Sequence, residues 1–215
     1  MDLNEEIKSI TPLPSKAGLA AFIQNYKTTN SQVDVDSLVK SPLFGVNFKE
    51  GSMLYFGDIR NNEMDGKGVL VTLNWIFEGV FMSSKRLEGV EITPKGIYKG
   101  KFVNDDRSKV GEFYWNNGEY YSGEWVKNKK HGTGVWKSKN GDVYMGQWVK
   151  GKVHGYGCHL TKKGQKYEGY FENFLKHGQG KEYFPNGDYF EGTFHYGKPT
   201  GTGIYKWRSG ITYEG

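Results

Sequence analysis

Aromatic and polar positions alternate with period two over short stretches of this chain, and the last of these stretches recur every 23 residues. In Tyr144-Met145-Gly146-Gln147-Trp148 the aromatic, glycine and aromatic fall on alternate residues. An extended strand places all three on one face. The pattern repeats as Tyr121-x-Gly123-x-Trp125, Tyr167-x-Gly169-x-Phe171 and Phe190-x-Gly192-x-Phe194. A lysine-rich loop such as Lys150-Gly151-Lys152-Val153-His154 follows, and then a Gly-x-Gly pair: Gly132/Gly134, Gly155/Gly157, Gly178/Gly180 and Gly201/Gly203. These pairs read as a second strand with bare backbone on which aromatic rings can lie. Asn117-Gly118, Asn140-Gly141 and Asn186-Gly187 then suit the positive φ of tight hairpin turns. Each repeat is thus predicted to be a two-stranded antiparallel hairpin.

The period extends over most of the chain. Counted from Gly57, glycine recurs at 79, 100, 123, 146, 169, 192 and 215, and the last five intervals are all 23 residues. A fixed period of this length marks a repeat architecture in which each copy packs on its neighbours only. The pattern Tyr-x-Gly-x-Trp-x-x-Gly-Lys-x-His-Gly-x-Gly, followed by Asn-Gly-Asp, resembles the MORN repeat (membrane occupation and recognition nexus). The resemblance divides residues 51–215 into units at 55–76, 77–97, 98–120, 121–143, 144–166, 167–189 and 190–212, with an eighth opening at Tyr213. The first three units are irregular, and in the third Lys109 stands where the first glycine of the pair belongs. The expected fold is all-β: an elongated single-sheet solenoid of about seven hairpins. The opening of an eighth unit at Tyr213-Glu214-Gly215 reads either as a longer protein cut short or as a closing half-hairpin near Gly203.

Residues 1–50 lie outside the repeat. After Pro12 and Pro14, Leu19, Phe22, Ile23 and Tyr26 fall at helical spacing, which predicts an amphipathic helix near 16–28, either covering the first sheet edge or docking on a partner. The apolar stretch from Pro42 to Phe48 leads into the sheet.

Composition sharpens this picture. Apolar residues make up only 36% of the chain and aromatics 16%, with a mean hydropathy of −0.68, so rings must replace an aliphatic core. The net charge is +5, but residues 121–166 hold ten lysines against Glu124 and Asp142, a local +8. Lys127, Lys129, Lys130, Lys150 and Lys152 are placed at one end of the hairpins, as a basic band that either keeps the sheet soluble or meets an anionic surface such as phosphoinositide headgroups. The scarcity of arginine there weighs against nucleic acid. The single Cys158 makes a reducing compartment the default, and no apolar run approaches eighteen residues; the expectation is a cytoplasmic protein.

The candidate chemistry is sparse. His131, His154 and His177 recur at one slot, which duplication explains without a metal, and no nucleophile constellation, P-loop or paired carboxylates stand out. No cofactor, metal or active site is expected. The candidate partner-binding residues are the groove aromatics Tyr121, Trp125, Tyr144, Trp148, Tyr167, Phe171, Phe190 and Phe194, an uncovered apolar face that should receive a partner helix, the chain's own residues 16–28 or a second copy. The resemblance implies a noncatalytic scaffold within a larger assembly of the cytoskeleton, axoneme or cilium. It also implies two alternatives, an adaptor at anionic phospholipid and a regulatory module of a larger enzyme such as a lipid kinase.

Overall fold

The computed structural model describes residues 44–49, 53–72 and 74–215, the first stretch by its backbone alone. The predicted helix near 16–28 lies outside the described residues. The described residues divide into two compact units on either side of Pro94 and Lys95. In the first, β1 (Phe44–Lys49), β2 (Met53–Arg60), β3 (Glu63–Thr72), β4 (Ile76–Met82) and β5 (Lys85–Thr93) pair antiparallel in chain order. Among the described residues the sheet therefore begins at Phe44, within the segment read as leading into it. The second unit runs from β6 (Gly96–Val103) through β7 (Asp106–Trp115), β8 (Tyr120–Val126), β9 (Lys129–Lys137), β10 (Val143–Val149), β11 (Lys152–Leu160), β12 (Lys166–Glu172), β13 (Leu175–Tyr183), β14 (Tyr189–His195) and β15 (Lys198–Lys206) to β16 (Thr212–Glu214). It is likewise an open antiparallel meander. The fold is all-β, built of hairpin repeats as the periodicity predicts, and Gly215 exchanges backbone bonds of 2.8 and 3.2 Å with Gly203.

The turns are distributed differently from the expectation. Within each repeat the lysine-rich segment is a two-residue turn whose central residues both have positive φ: Lys127 (48°) and Asn128 (64°), or Lys150 (51°) and Gly151 (88°). These are type I′ turns, which match the twist of the strands they join. Lys129, Lys130, Lys152 and Val153 are consequently strand residues, not loop residues. The Asn-Gly dipeptides sit in the wider connection between repeats, where only the glycine has positive φ (Gly118, 88°; Gly141, 99°). There the Gly118 amide bonds to the Trp115 carbonyl at 2.9 Å while the Trp115 amide bonds to Glu119 at 3.0 Å, a three-residue loop with a left-handed last residue.

The two glycines of each Gly-x-Gly pair also do different things. The first is left-handed (Gly132, φ 54°; Gly155, φ 66°) and lies at a shift in register, a bulge that bends the strand. At the bulge Glu124 accepts the Thr133 amide at 2.8 Å, and Gln147 accepts the Tyr156 amide at 2.9 Å. In the third repeat Lys109 adopts the same conformation, φ 60°, despite its side chain. The second glycine lies beneath a ring. A Cβ on Gly157 would overlap the hydroxyl and ring of Tyr144, the tyrosine of its own repeat. That hydroxyl donates across the bulge to the Gln147 carbonyl at 3.1 Å, as Tyr121 does to Glu124 (3.0 Å) and Tyr167 to Tyr170 (3.0 Å).

These rings make the core. Edge-to-face contacts run without a break from Tyr121 to Trp148 (5.3 Å between centroids), Trp148 to Tyr144 (5.3 Å), Tyr144 to Phe171 (5.3 Å), Phe171 to Tyr167 (5.0 Å) and Tyr167 to Phe194 (5.0 Å). Each repeat's second aromatic wedges between its own tyrosine and that of the repeat before, the favoured geometry for aromatic quadrupoles. The indoles add a polar tie to the preceding repeat, Trp125 donating to the Gly111 carbonyl at 3.0 Å and Trp148 to Gly134 at 3.4 Å.

Candidate partner-binding face

Cross-strand pairing defines the rows of the second unit's aromatic face. Tyr121, Trp136, Tyr144, His159, Tyr167, Glu182 and Phe190 are successive partners across strands β8 to β14. A second row pairs each repeat's later aromatic with a residue just past the turn: Phe102 with Arg107, Trp125 with Lys130, Trp148 with Val153, Phe171 with Lys176 and Phe194 with Pro199.

Seven of the eight predicted contact rings are core. Tyr121 is 0% exposed, Trp148 2% and Phe171 6%, and Trp125, Tyr144, Tyr167 and Phe194 are equally buried; Phe190 alone is intermediate. The expectation of an uncovered groove lined by these rings is corrected by their mutual packing, because each ring's face is covered by the edge of the next. What such a face offers outward is the layer of side chains over and between the rings.

That layer is cationic at the turn side. Lys130 lies 4.1 Å from the Trp148 ring centroid, 5.5 Å from Tyr121 and 5.6 Å from Trp115; Lys176 lies 5.0 Å from Tyr167 and 5.6 Å from Phe194; Arg107 lies 4.6 Å from Phe113 and 5.3 Å from Tyr98. Arg86 occupies the equivalent position in the first unit, opposite Phe81, 4.5 Å from Trp75 and ion-paired with Glu91 at 2.6 Å. Cations over ring faces are attracted by the quadrupole, more strongly when partly desolvated. Burial lowers the Lys130 ammonium to about 8, with Glu119 opposing the shift. Lys176 has Glu182 as its carboxylate partner. Lys130 therefore leaves the predicted basic band for the aromatic face, while Lys127, Lys129, Lys150 and Lys152 stay exposed along the turn edge, Lys152 donating to Asn173 at 3.2 Å.

Between the repeats at 144–166 and 167–189 the layer is interrupted. A hollow of about 250 Å³ is lined by Glu119, Lys130, Trp136, Tyr144, Trp148, Val153, His159, Phe171 and Phe174. Its floor is Val153, which stands where the neighbouring repeats carry Lys130 and Lys176, and its side is His159, which stands where they carry Trp136 and Glu182. Burial holds the His159 imidazole below its usual range, so it is neutral at pH 7. Glu119 at the rim accepts the Trp136 indole at 3.3 Å. The sequence reading missed Trp136, Val153, His159 and Phe174. The signal was present as the fifth residue after each second aromatic, which runs Arg107, Lys130, Val153, Lys176, Pro199.

The histidines of the repeated slot serve the turns. His131 Nδ1 accepts the Lys150 amide at 3.5 Å and His177 Nε2 lies 3.5 Å from Glu172. Among the described residues no group of three His, Cys, Asp or Glu is placed to hold a metal.

The fold and this face define an array of β-hairpin repeats with a ring-filled face. The MORN repeat family matches residues 55–72, 121–143, 144–166, 167–189 and 190–212, together just over half of the chain. The chain belongs to the MORN-repeat family. No curated protein sequence matches it. Among solved structures it is similar to the TCP10c domain of Drosophila melanogaster Sas-4, with 7% identity, 80% of this chain and 97% of that one covered, and a TM-score of 0.37. It is also similar to the Drosophila SAS-4 (dCPAP) TCP domain in complex with a proline-rich motif of Ana2 (dSTIL), with 10% identity, coverage of 86% and 93%, and a TM-score of 0.32. Likeness at this level carries nothing about partners.

Proposed function

We propose that this MORN protein is a noncatalytic, protein-binding scaffold, a structural component of the cytoskeleton, axoneme or cilium within a larger assembly. The observation that carries the protein-binding reading is the aromatic face of the second unit. Its rings are fixed by their own packing, yet a hollow opens between Trp148 and Phe171 with polar groups at its rim. A rigid apolar depression with a few convergent polar groups is what a partner's side chain fits. The ionisable groups on this face have structural tasks: Lys176 is held by Glu182, Glu119 by the Trp136 indole, and Lys130 by three rings. The cytoskeletal setting follows from the family resemblance.

The test is retention of the tagged full-length gene product in source cells, compared between detergent-soluble and cytoskeletal fractions at rising salt. The scaffold reading expects salt-insensitive retention with cytoskeletal or axonemal proteins. A second reading, an adaptor at anionic membranes, is favoured by the four exposed lysines along the turn edge, Lys127, Lys129, Lys150 and Lys152. It expects binding to phosphatidylserine vesicles that falls steeply with salt, and loss of that binding when the four are changed to Glu.

A further inference from the structure

We propose that the hollow over Val153 is a receptor for an arginine or lysine side chain of a partner protein. The partner's cation completes a row that this chain's own cations fill on either side. The proposal deepens the scaffold reading and rests on it only for the source of the cation.

The argument is one of equivalent positions. In the repeats before and after, the slot opposite the second aromatic holds Lys130 or Lys176. Each of these ammonium groups lies over its own repeat's tyrosine and the next repeat's second aromatic: Lys130 over Tyr121 and Trp148 at 5.5 and 4.1 Å, Lys176 over Tyr167 and Phe194 at 5.0 and 5.6 Å. The corresponding pair above Val153 is Tyr144 and Phe171, and both line the hollow. Those two rings have the edge-to-face arrangement of the flanking pairs, 5.3 Å between centroids against 5.3 Å for Tyr121 with Trp148 and 5.0 Å for Tyr167 with Phe194. The aromatic seat is therefore preserved while the chain's own side chain stops at a valine.

The charges lining the hollow offset one another, so the ring faces decide the occupant. Glu119 contributes a carboxylate at the rim that offsets the Lys130 ammonium, itself lining the hollow over Trp148, and neutral His159 adds no charge. Lys130 lines the hollow from the preceding slot, and Arg107 and Lys130 already occupy successive slots at that separation, about 10 Å for two strand spacings. An apolar occupant would gain nothing from the ring faces beyond area.

The experiment uses the full chain labelled with 15N, titrated with N-acetyl-arginine methylamide while the Trp136 and Trp148 indole N–H signals are followed. The controls are N-acetyl-citrulline methylamide, which has the same shape without the charge, and N-acetyl-leucine methylamide. The expected result is saturable shifts of these two indoles with the arginine compound at an affinity at least tenfold above citrulline. Val153→Lys should abolish the shifts by filling the slot from within, a residue the flanking repeats accommodate. Glu119→Gln, which keeps an acceptor for the Trp136 indole, should weaken binding several-fold and serves if Val153→Lys does not fold. Equal binding of citrulline or leucine, or arginine binding that survives Val153→Lys, overturns the proposal. Arginine binding in a protein that retains no partner from cells would leave the hollow's chemistry standing and remove the scaffold reading instead.

Discussion

The two units bury their sheets differently. Across β2, β3 and the start of β4 both faces are buried: Tyr55, Leu70, Phe77 and Phe81 on the aromatic side, and Leu54, Phe56, Val69, Val71 and Ile76 on the other. In residues 95–215 the aromatic side is buried, but the opposite side presents Met145, Tyr156, Tyr170 and Leu160 with pairs such as Lys166 with Glu168 at 2.6 Å. The sequences differ accordingly. Leu54-Tyr55-Phe56 and Val69-Leu70-Val71 are continuous apolar runs, the signature of a strand covered on both faces, whereas Tyr144-Met145-Gly146-Gln147-Trp148 alternates. The first repeat, which looks degenerate, is thus a two-faced variant of the same hairpin. The lesson is that one ring-filled face is sufficient to organise a MORN hairpin, and the other face is free to be covered or wet.

The comparison is most directly broken on the shared aromatic face. Trp148→Ala and Phe77→Ala should each cost about 3–5 kcal/mol, the usual range for a buried large aromatic. A loss below about 1 kcal/mol in denaturant unfolding at either site would show that its ring face is not core. On the second face the units should part. Leu54→Ala, at 7% exposure, should cost about 2–5 kcal/mol. Met145→Ala, at 49% exposure, should stay within about 0.5 kcal/mol. Equal effects in thermal or denaturant melts would erase the distinction between one-faced and two-faced repeats.

Smaller effects probe the bulge. Lys109 is left-handed where its counterparts are glycine, a conformation that costs a residue with a Cβ about 1 kcal/mol or more. Lys109→Gly should therefore stabilise the array by about 1 kcal/mol, and a destabilised variant would mean that the lysine side chain outweighs the strain. The last effect is silent at neutral pH. Burial raises the hydroxyls of Tyr55, Tyr121, Tyr144 and Tyr167 well above the ordinary value of 10.0, Tyr144 to about 12. Because the folded state holds these protons more tightly than the unfolded chain, the stability is complete below pH 10 and falls as pH rises from there towards 12. Ionisation of these four tyrosines, followed residue by residue by NMR, and loss of β circular dichroism should rise together in that window; a phenolate at any of the four at pH 10 in a folded sheet would contradict the burial of these rings.

Much of the candidate face was readable in the chain, and what was misread has a common cause. The spacing of Tyr121, Gly123 and Trp125 requires only the alternation of a strand, so the shared face followed directly. The turns did not, because Asn-Gly suits both a type I′ turn, where two residues have positive φ, and a three-residue loop, where one does. Which connection each segment takes depends on how the flanking strands pair, and the bulge at Gly132 or Gly155 shifts that pairing. Once shifted, Lys130 leaves the turn and lies over Trp148, and the surface role expected of it passes to Lys127, Lys129, Lys150 and Lys152.

The sequence by itself determined the period, the hairpin, the family and the row of rings, since all of these rest on residue type and local spacing. Tertiary structure alone decided that the rings are covered by one another, that the first repeat buries both faces, and that a valine opens a hollow between two lysine-filled slots. Burial and emptiness are properties of neighbours 23 residues away brought together by cross-strand register, and no local pattern of apolar and polar positions contains that register.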